Sequence, residues 1–172
     1  MNKIQTHFIG EVVSSNSSEA FSLYEKSHFG ERTGEKIRYS FSEAIFLVER
    51  GKMEIFSGRK KLSEGELMKK FQKFDKKIQL KSVVFKDLRN KGYTVKTALK
   101  FGADFRVYER GFRPGEEHAK WIVFVEHESS KLTWHDFSAK NRVAHSTKKN
   151  LLLAIVDEED GITYYEVKWI KN

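Results

Sequence analysis

The chain has 172 residues, 39% of them hydrophobic and 13% aromatic, with one proline and no cysteine. This is a globular composition, long enough for one large core or two small ones, and it excludes disulfides and thiolate metal sites. No stretch approaches the roughly 18 apolar residues of a membrane span, and no basic-then-apolar leader opens the chain, so the expectation is a soluble, cytoplasmic protein with no membrane partner.

The net charge of +8 is unevenly placed. Residues 52–100 hold 15 Lys/Arg against 5 Asp/Glu, which makes that block +10 and the rest of the chain −2. Either these lysines line ordinary solvated helix faces, or they meet a polyanion whose counterions they release.

In chain order, Phe8 to Val13 alternates as a strand. Ser17-Ser-Glu-Ala-Phe-Ser-Leu-Tyr-Glu-Lys reads as a serine-capped helix closing near Gly30. Ser40-Phe-Ser-Glu43 is a capping box that opens a second helix through Ala44, Phe46, Leu47 and Val48, with Gly51 as its stop. Met53 to Phe56 is a short strand. Ser63 to about Asp75 has helical spacing with Leu67, Met68, Phe71 and Phe74 on one face, and Val83 to Lys91 is a further helix stopped by Gly92. The first half thus reads as mixed, mostly helical and basic.

The period changes after Tyr93. Tyr93 to Lys96 and Asp104 to Tyr108 alternate as strands, Trp121 to Glu126 is apolar on both faces and so central, and Leu151 to Val156 is another buried strand. Ile162 to Ile170 closes a hairpin across the turn at Asp160-Gly161. Thr133 to Ser146 has helical spacing between the third and fourth strands. The expectation is a two-domain α+β or α/β chain: a mixed helix-strand domain over residues 1–82, then an α/β domain over 83–172 with a central mixed sheet flanked by helices.

Two segments of the second domain carry chemistry: Phe105-Arg-Val-Tyr-Glu-Arg-Gly-Phe-Arg-Pro-Gly-Glu-Glu-His118 and Arg142-Val-Ala-His-Ser-Thr-Lys-Lys149-Asn-Leu-Leu-Leu-Ala-Ile-Val-Asp157. RNA brings its own nucleophile, the 2′-hydroxyl. Its cleavage needs a proton acceptor, a proton donor for the departing 5′-oxygen and a cation for the crowded phosphate, roles that Tyr108, His118 and Lys149 can fill. Singly, each has a plainer reading: an incidental loop histidine, a tyrosine capping a core, a surface lysine beside Lys148. The three gain weight because strand ends on one side of a sheet would bring them together. A free phenol holds its proton about three units above neutral pH, so a tyrosinate would cost roughly 4 kcal/mol unless cations such as Arg110, Arg142 or Lys149 favour it. Tyr108 is therefore either a base or a group that only orients the hydroxyl.

The same segments, with Glu-Glu-His-Ala-Lys and Tyr-Tyr-Glu-Val-Lys-Trp, resemble the archaeal tRNA-splicing endonuclease family over residues 85–172. Ser-Glu-Ala-Phe-Ser-Leu-Tyr-Glu and Tyr-Ser-Phe-Ser-Glu-Ala resemble that family's N-terminal domain. The resemblance implies a nuclease-like catalytic domain that excises introns from precursor tRNA at a bulge-helix-bulge. It implies 2′,3′-cyclic phosphate and 5′-hydroxyl products and no metal or other cofactor. By motif, Tyr108 would be the general base, His118 the general acid and Lys149 the phosphate stabiliser. Arg142 and Trp169 would clamp a flipped bulge base. Asp157, Glu158, Glu159 and Asp160 would form an acidic loop that enters a basic pocket of a neighbouring copy, in a homotetramer built as two dimers with Tyr164 to Ile170 in the dimer contact.

Two rival readings stand beside this. Glu166-Val-Lys168 has the Glu-x-Lys spacing of metal-dependent nucleases, which would need an upstream aspartate such as Asp157 to complete a Mg²⁺ site. A non-catalytic RNA-binding or structural subunit would need only the basic helices and aromatics.

Overall fold

Gly10 breaks the first alternating run in two. Its φ of +63° turns the chain after β1 (Ile4–Ile9) into β2 (Val12–Ser15), and Ile9 pairs with Val12 across a two-residue loop. The single strand expected over Phe8 to Val13 is therefore a hairpin, because glycine enters that region without the penalty a Cβ carries. The computed structural model describes residues 2–170 and divides the chain into two units, Met1–Phe85 and Lys86–Asn172.

Unit 1 is a six-stranded sheet in the order β3-β4-β2-β1-β5-β6, with β3 (Glu31–Thr33), β4 (Lys36–Tyr39), β5 (Met53–Ser57) and β6 (Lys60–Lys61). Only the β1 to β5 pairing is parallel. Strands β3 and β6 are short and charged, so their sequence shows little of the apolar alternation that marks a strand, while β4 does alternate, with Ile37 and Tyr39 buried, but over only four residues, and the half is more stranded than the sequence reading expected. Helix α1 (Ser18–Ser27) is capped by Ser17 and ends at His28, not Gly30, with His28 itself in the left-handed region. Helices α2 (Phe41–Glu49) and α3 (Glu64–Gln72) both open with complete capping boxes, Ser40 with Glu43 and Ser63 with Glu66. The core is aromatic: Phe41 stacks on Phe71 with centroids 4.1 Å apart, and Phe8 meets Phe71 edge-on at 5.4 Å. Helix α4 (Ile78–Asn90) begins five residues ahead of the expected Val83, and the division between the units falls inside it.

Unit 2 is a five-stranded sheet in the order β11-β10-β9-β8-β7, with β7 (Thr94–Ala98), β8 (Ala103–Tyr108), β9 (Trp121–His127), β10 (Asn150–Val156) and β11 (Ile162–Val167). The strand read as central, β9, is the middle one. It runs parallel to β10, so the chain between them must cross over, and α5 (Trp134–Ser146) is that crossover. Ala144, with Phe137 and Val143, covers the sheet face made by Ile122, Phe124, Leu151 and Leu153. The last strand stops at Val167, so 168–170 lie outside it. Among the described residues no helix is long and apolar enough to cross a membrane.

Candidate active site

Registers across unit 2 put the two halves of the candidate site in one row. Val107 pairs with Trp121, and Trp121 with Asn150. The next step towards that end of the sheet reaches Tyr108 on β8 and Lys149 just ahead of β10, while Lys120 donates its amide to Val107 at 2.9 Å and Asn150 donates to Lys120 at 2.9 Å. Tyr108 and Lys149 are thus two strands apart, about 10 Å between backbones, which long side chains can span around one phosphate. His118 stands three residues ahead of β9 in the connecting loop, at the same end of the sheet.

Tyr108 alternates with Val107 along β8 and so shares the α5 face of the sheet with Arg106. Its ring is buried, with 5% of the residue exposed, and its hydroxyl makes no hydrogen bond among the described residues. His118 is exposed, and it too has no polar partner among the described residues. The loop that carries it is tethered nearby: the Glu117 carboxylate accepts from the Arg113 amide at 2.5 Å, and Glu109 pairs with Lys120 across the loop's base at 2.5 Å. That ion pair also holds the Lys120 ammonium above its ordinary pKa.

Lys149 is fixed by the end of α5. After the C-cap Thr147, Lys148 takes a φ of +55°, its amide donates to His145 at 3.0 Å, and the amide of Lys149 donates to Ala144 at 2.9 Å. This is a Schellman closure, and it sends Lys148 and Lys149 in different directions. The Lys149 ammonium donates to the Thr147 carbonyl at 3.1 Å. Partial burial, and then the nearby Arg106 guanidinium, lower its pKa from the usual lysine value. Arg110, considered as a cation for Tyr108, instead lies over the Tyr93 ring at 4.9 Å.

Arg142 projects exposed from α5 one turn before His145. Trp169, 59% exposed, rests against the His145 ring with centroids 4.2 Å apart. His145 therefore stands against one residue of the expected clamp, a contact that the sequence reading missed. A histidine three residues after Arg142, on the same helix face, was the available signal.

The Glu166 carboxylate accepts from the Trp121 indole at 3.2 Å and the Asn150 amide at 2.8 Å. Glu166 pairs with Leu152, five residues before Asp157, so the two residues stand about 16 Å apart along the backbone of β10. They cannot share a metal ion, which removes the Glu-x-Lys site in the form expected. Asp157 serves its own loop: one carboxylate oxygen accepts from the amides of Glu159 at 2.9 Å and Gly161 at 2.8 Å. Glu158, Glu159 and Asp160 are exposed, and His127 lies 3.7 Å from Glu158.

A mixed α/β domain with titratable groups gathered at strand ends is an architecture suited to nucleic-acid cleavage. Residues 4–68 match the tRNA intron endonuclease N-terminal domain, and residues 78–164 match the tRNA intron endonuclease catalytic C-terminal domain. The chain is 46% identical over 160 residues to a tRNA-splicing endonuclease of Thermococcus gammatolerans, covering 93% of this chain and 94% of that one. It is 41% identical over 169 residues to the tRNA-splicing endonuclease of Pyrococcus abyssi, covering 98% and 97%. The tRNA-splicing endonuclease of Methanothermobacter thermautotrophicus is 41% identical over 155 residues, 90% of each chain. The chain belongs to the tRNA intron endonuclease family, and it is an endonuclease of the tRNA-splicing kind.

Proposed function

We propose that this enzyme excises introns from precursor tRNA by cutting both splice sites of a bulge-helix-bulge, through attack of the 2′-hydroxyl on the adjacent phosphorus. The 2′-oxygen to phosphorus bond forms as the bond from phosphorus to the 5′-oxygen breaks, leaving a 2′,3′-cyclic phosphate and a 5′-hydroxyl. Tyr108 takes or orients the 2′-hydroxyl proton, His118 in its imidazolium form gives a proton to the 5′-oxygen, and Lys149 offsets the charge of the pentavalent phosphate. The supporting observation is the register that sets Tyr108, the His118 loop and Lys149 at one end of one sheet. No step requires a metal ion.

Arg142 and Trp169 hold the unpaired bulge base between a guanidinium and an indole, with His145 behind the indole. Two copies join through β11, an edge strand whose Tyr165 is 56% exposed, since an uncovered edge offers unpaired backbone groups to a second strand. Two such dimers join when the loop of Glu158, Glu159 and Asp160 meets basic surface within residues 52–100 of a neighbouring copy, in the cytoplasm. The deciding experiment incubates the protein with a bulge-helix-bulge transcript in excess chelator and analyses the ends. Cyclic phosphate and 5′-hydroxyl ends support the proposal, and 3′-hydroxyl ends or a requirement for added divalent metal overturn it.

A further inference from the structure

We infer that the outer face of α3 and the turn after it bind the phosphodiester backbone of the RNA substrate, giving unit 1 a direct part in substrate capture. This rests on the ribonuclease function above, but on none of its catalytic assignments. Residues 67–86 hold seven lysines and one carboxylate, Asp75. Asp75 is already engaged, accepting from the Lys77 amide at 3.0 Å and from the Lys81 ammonium at 2.8 Å.

Other lysines of unit 1 have carboxylate partners: Lys60 with Glu66, and Lys61 and Lys3 with Glu54. Lys69, Lys70, Lys73 and Lys76 have none among the described residues, and Lys69, Lys73 and Lys76 are exposed. Lys69 and Lys73 are four residues apart on one helical face, where like charges repel. The helix dipole favours cations in the last turn, which accounts for one or two of them. Lys76 lies beyond the helix, where that attraction fades, so stability of the fold does not explain the whole row.

The size of the charge argues for a polyanion. The block of residues 52–100 carries a net +10, whereas an acidic loop of four carboxylates neutralises at most four, one of which already serves its own turn. A phosphate chain supplies the remainder and gains by releasing its counterions. Phe74, in the same stretch, is 47% exposed while its ring is held by Phe8 and Phe41 at 6.2 and 6.1 Å. A fixed, half-exposed ring beside cations suits stacking on an unpaired base.

The test compares Lys69→Gln/Lys73→Gln/Lys76→Gln with Lys60→Gln/Lys61→Gln, whose lysines are already ion-paired. Binding of a bulge-helix-bulge transcript is read by fluorescence anisotropy from 50 to 200 mM salt, with cleavage and mass in solution measured alongside. The triple variant is expected to bind about ten- to a hundred-fold more weakly near 0.15 M salt, with a slope of log affinity against log salt shallower by about two to three. Its saturating cleavage rate and its mass stay as in the parent. Unchanged affinity, an equal loss in the Lys60/Lys61 variant, or a change of mass marking the row as a protein contact would each overturn the inference. Binding is measured without cleavage, so failure of the catalytic proposal is seen separately.

Discussion

The amide of Lys149 donates to the carbonyl of Ala144 at 2.9 Å, so the residue assigned to the phosphate is also the one that closes α5. The closure places the strain next door, at Lys148 with its φ of +55°. A side chain in the left-handed region costs roughly 1–2 kcal/mol, and glycine there gives back about 0.5–1 kcal/mol through the greater freedom of its unfolded chain. Lys148→Gly is therefore expected to stabilise the fold by about 0.5–1 kcal/mol, read by denaturant unfolding, and to leave cleavage intact. A large loss of cleavage would mean that Lys148, not Lys149, meets the phosphate.

Substituting His118 separates an enzyme from a mere RNA-binding subunit. The imidazole is exposed and has no polar partner among the described residues, so its removal disturbs no packing there. His118→Ala should leave transcript binding nearly intact and slow single-turnover cleavage by about two to four powers of ten, the scale of a lost general acid. Cleavage at the parent rate would take histidine out of the mechanism.

Glu166 offers a sharp contrast between its two readings. As a bridge between the Trp121 indole and the Asn150 amide it needs only an acceptor oxygen, which glutamine retains. Glu166→Gln is expected to cut within a few-fold of the parent rate, with or without chelator. A loss of a hundred-fold or more, restored by added Mg²⁺, would return it to the metal-dependent class.

The acidic loop is tested at its exposed carboxylates, because Asp157 ties the turn together through the amides of Glu159 and Gly161. Glu158→Lys/Glu159→Lys keeps that turn and reverses two charges that face solvent. Light scattering should show the mass falling from four copies to two. Tetramers that persist would rule out loop-to-pocket joining.

The legible parts of this fold were those written by local chemistry. Ser40 with Glu43 and Ser63 with Glu66 announce α2 and α3 because a capping box needs only four residues, and the doubly apolar run at Trp121 announces a central strand because both its faces are buried. Strands β3 and β6 were not legible, since their short, charged sequences pair through backbone groups that leave little trace in residue type, and β4 was missed because the alternation of Ile37 and Tyr39 with charged residues runs over only four positions. At the site, Tyr108, His118 and Lys149 were singled out by the segments around them, since each residue type taken singly has a plainer reading. The His145 contact with Trp169 was not, because it depends on where the chain goes after β11.

Glu66 ties the stability of unit 1 to acid. Its carboxylate accepts from the Lys60 ammonium and caps α3 at the Ser63 amide, and the Lys60 contact first, then the amide, hold its pKa at about 2, below the ordinary 4.5. A depressed folded-state value means that the native state binds fewer protons than the unfolded chain between those limits. The stabilisation is thus complete above about pH 4.5 and is lost as pH falls through about 2. The group is fully exposed and screened by salt, so the effect is small and best read as a difference. Unfolding of the parent and of Glu66→Gln is compared at pH 6, 4 and 2.5 at low salt. The parent's advantage should be greatest at pH 6 and shrink steadily towards pH 2.5, while an advantage independent of pH would show that the Glu66 contacts owe nothing to its charge.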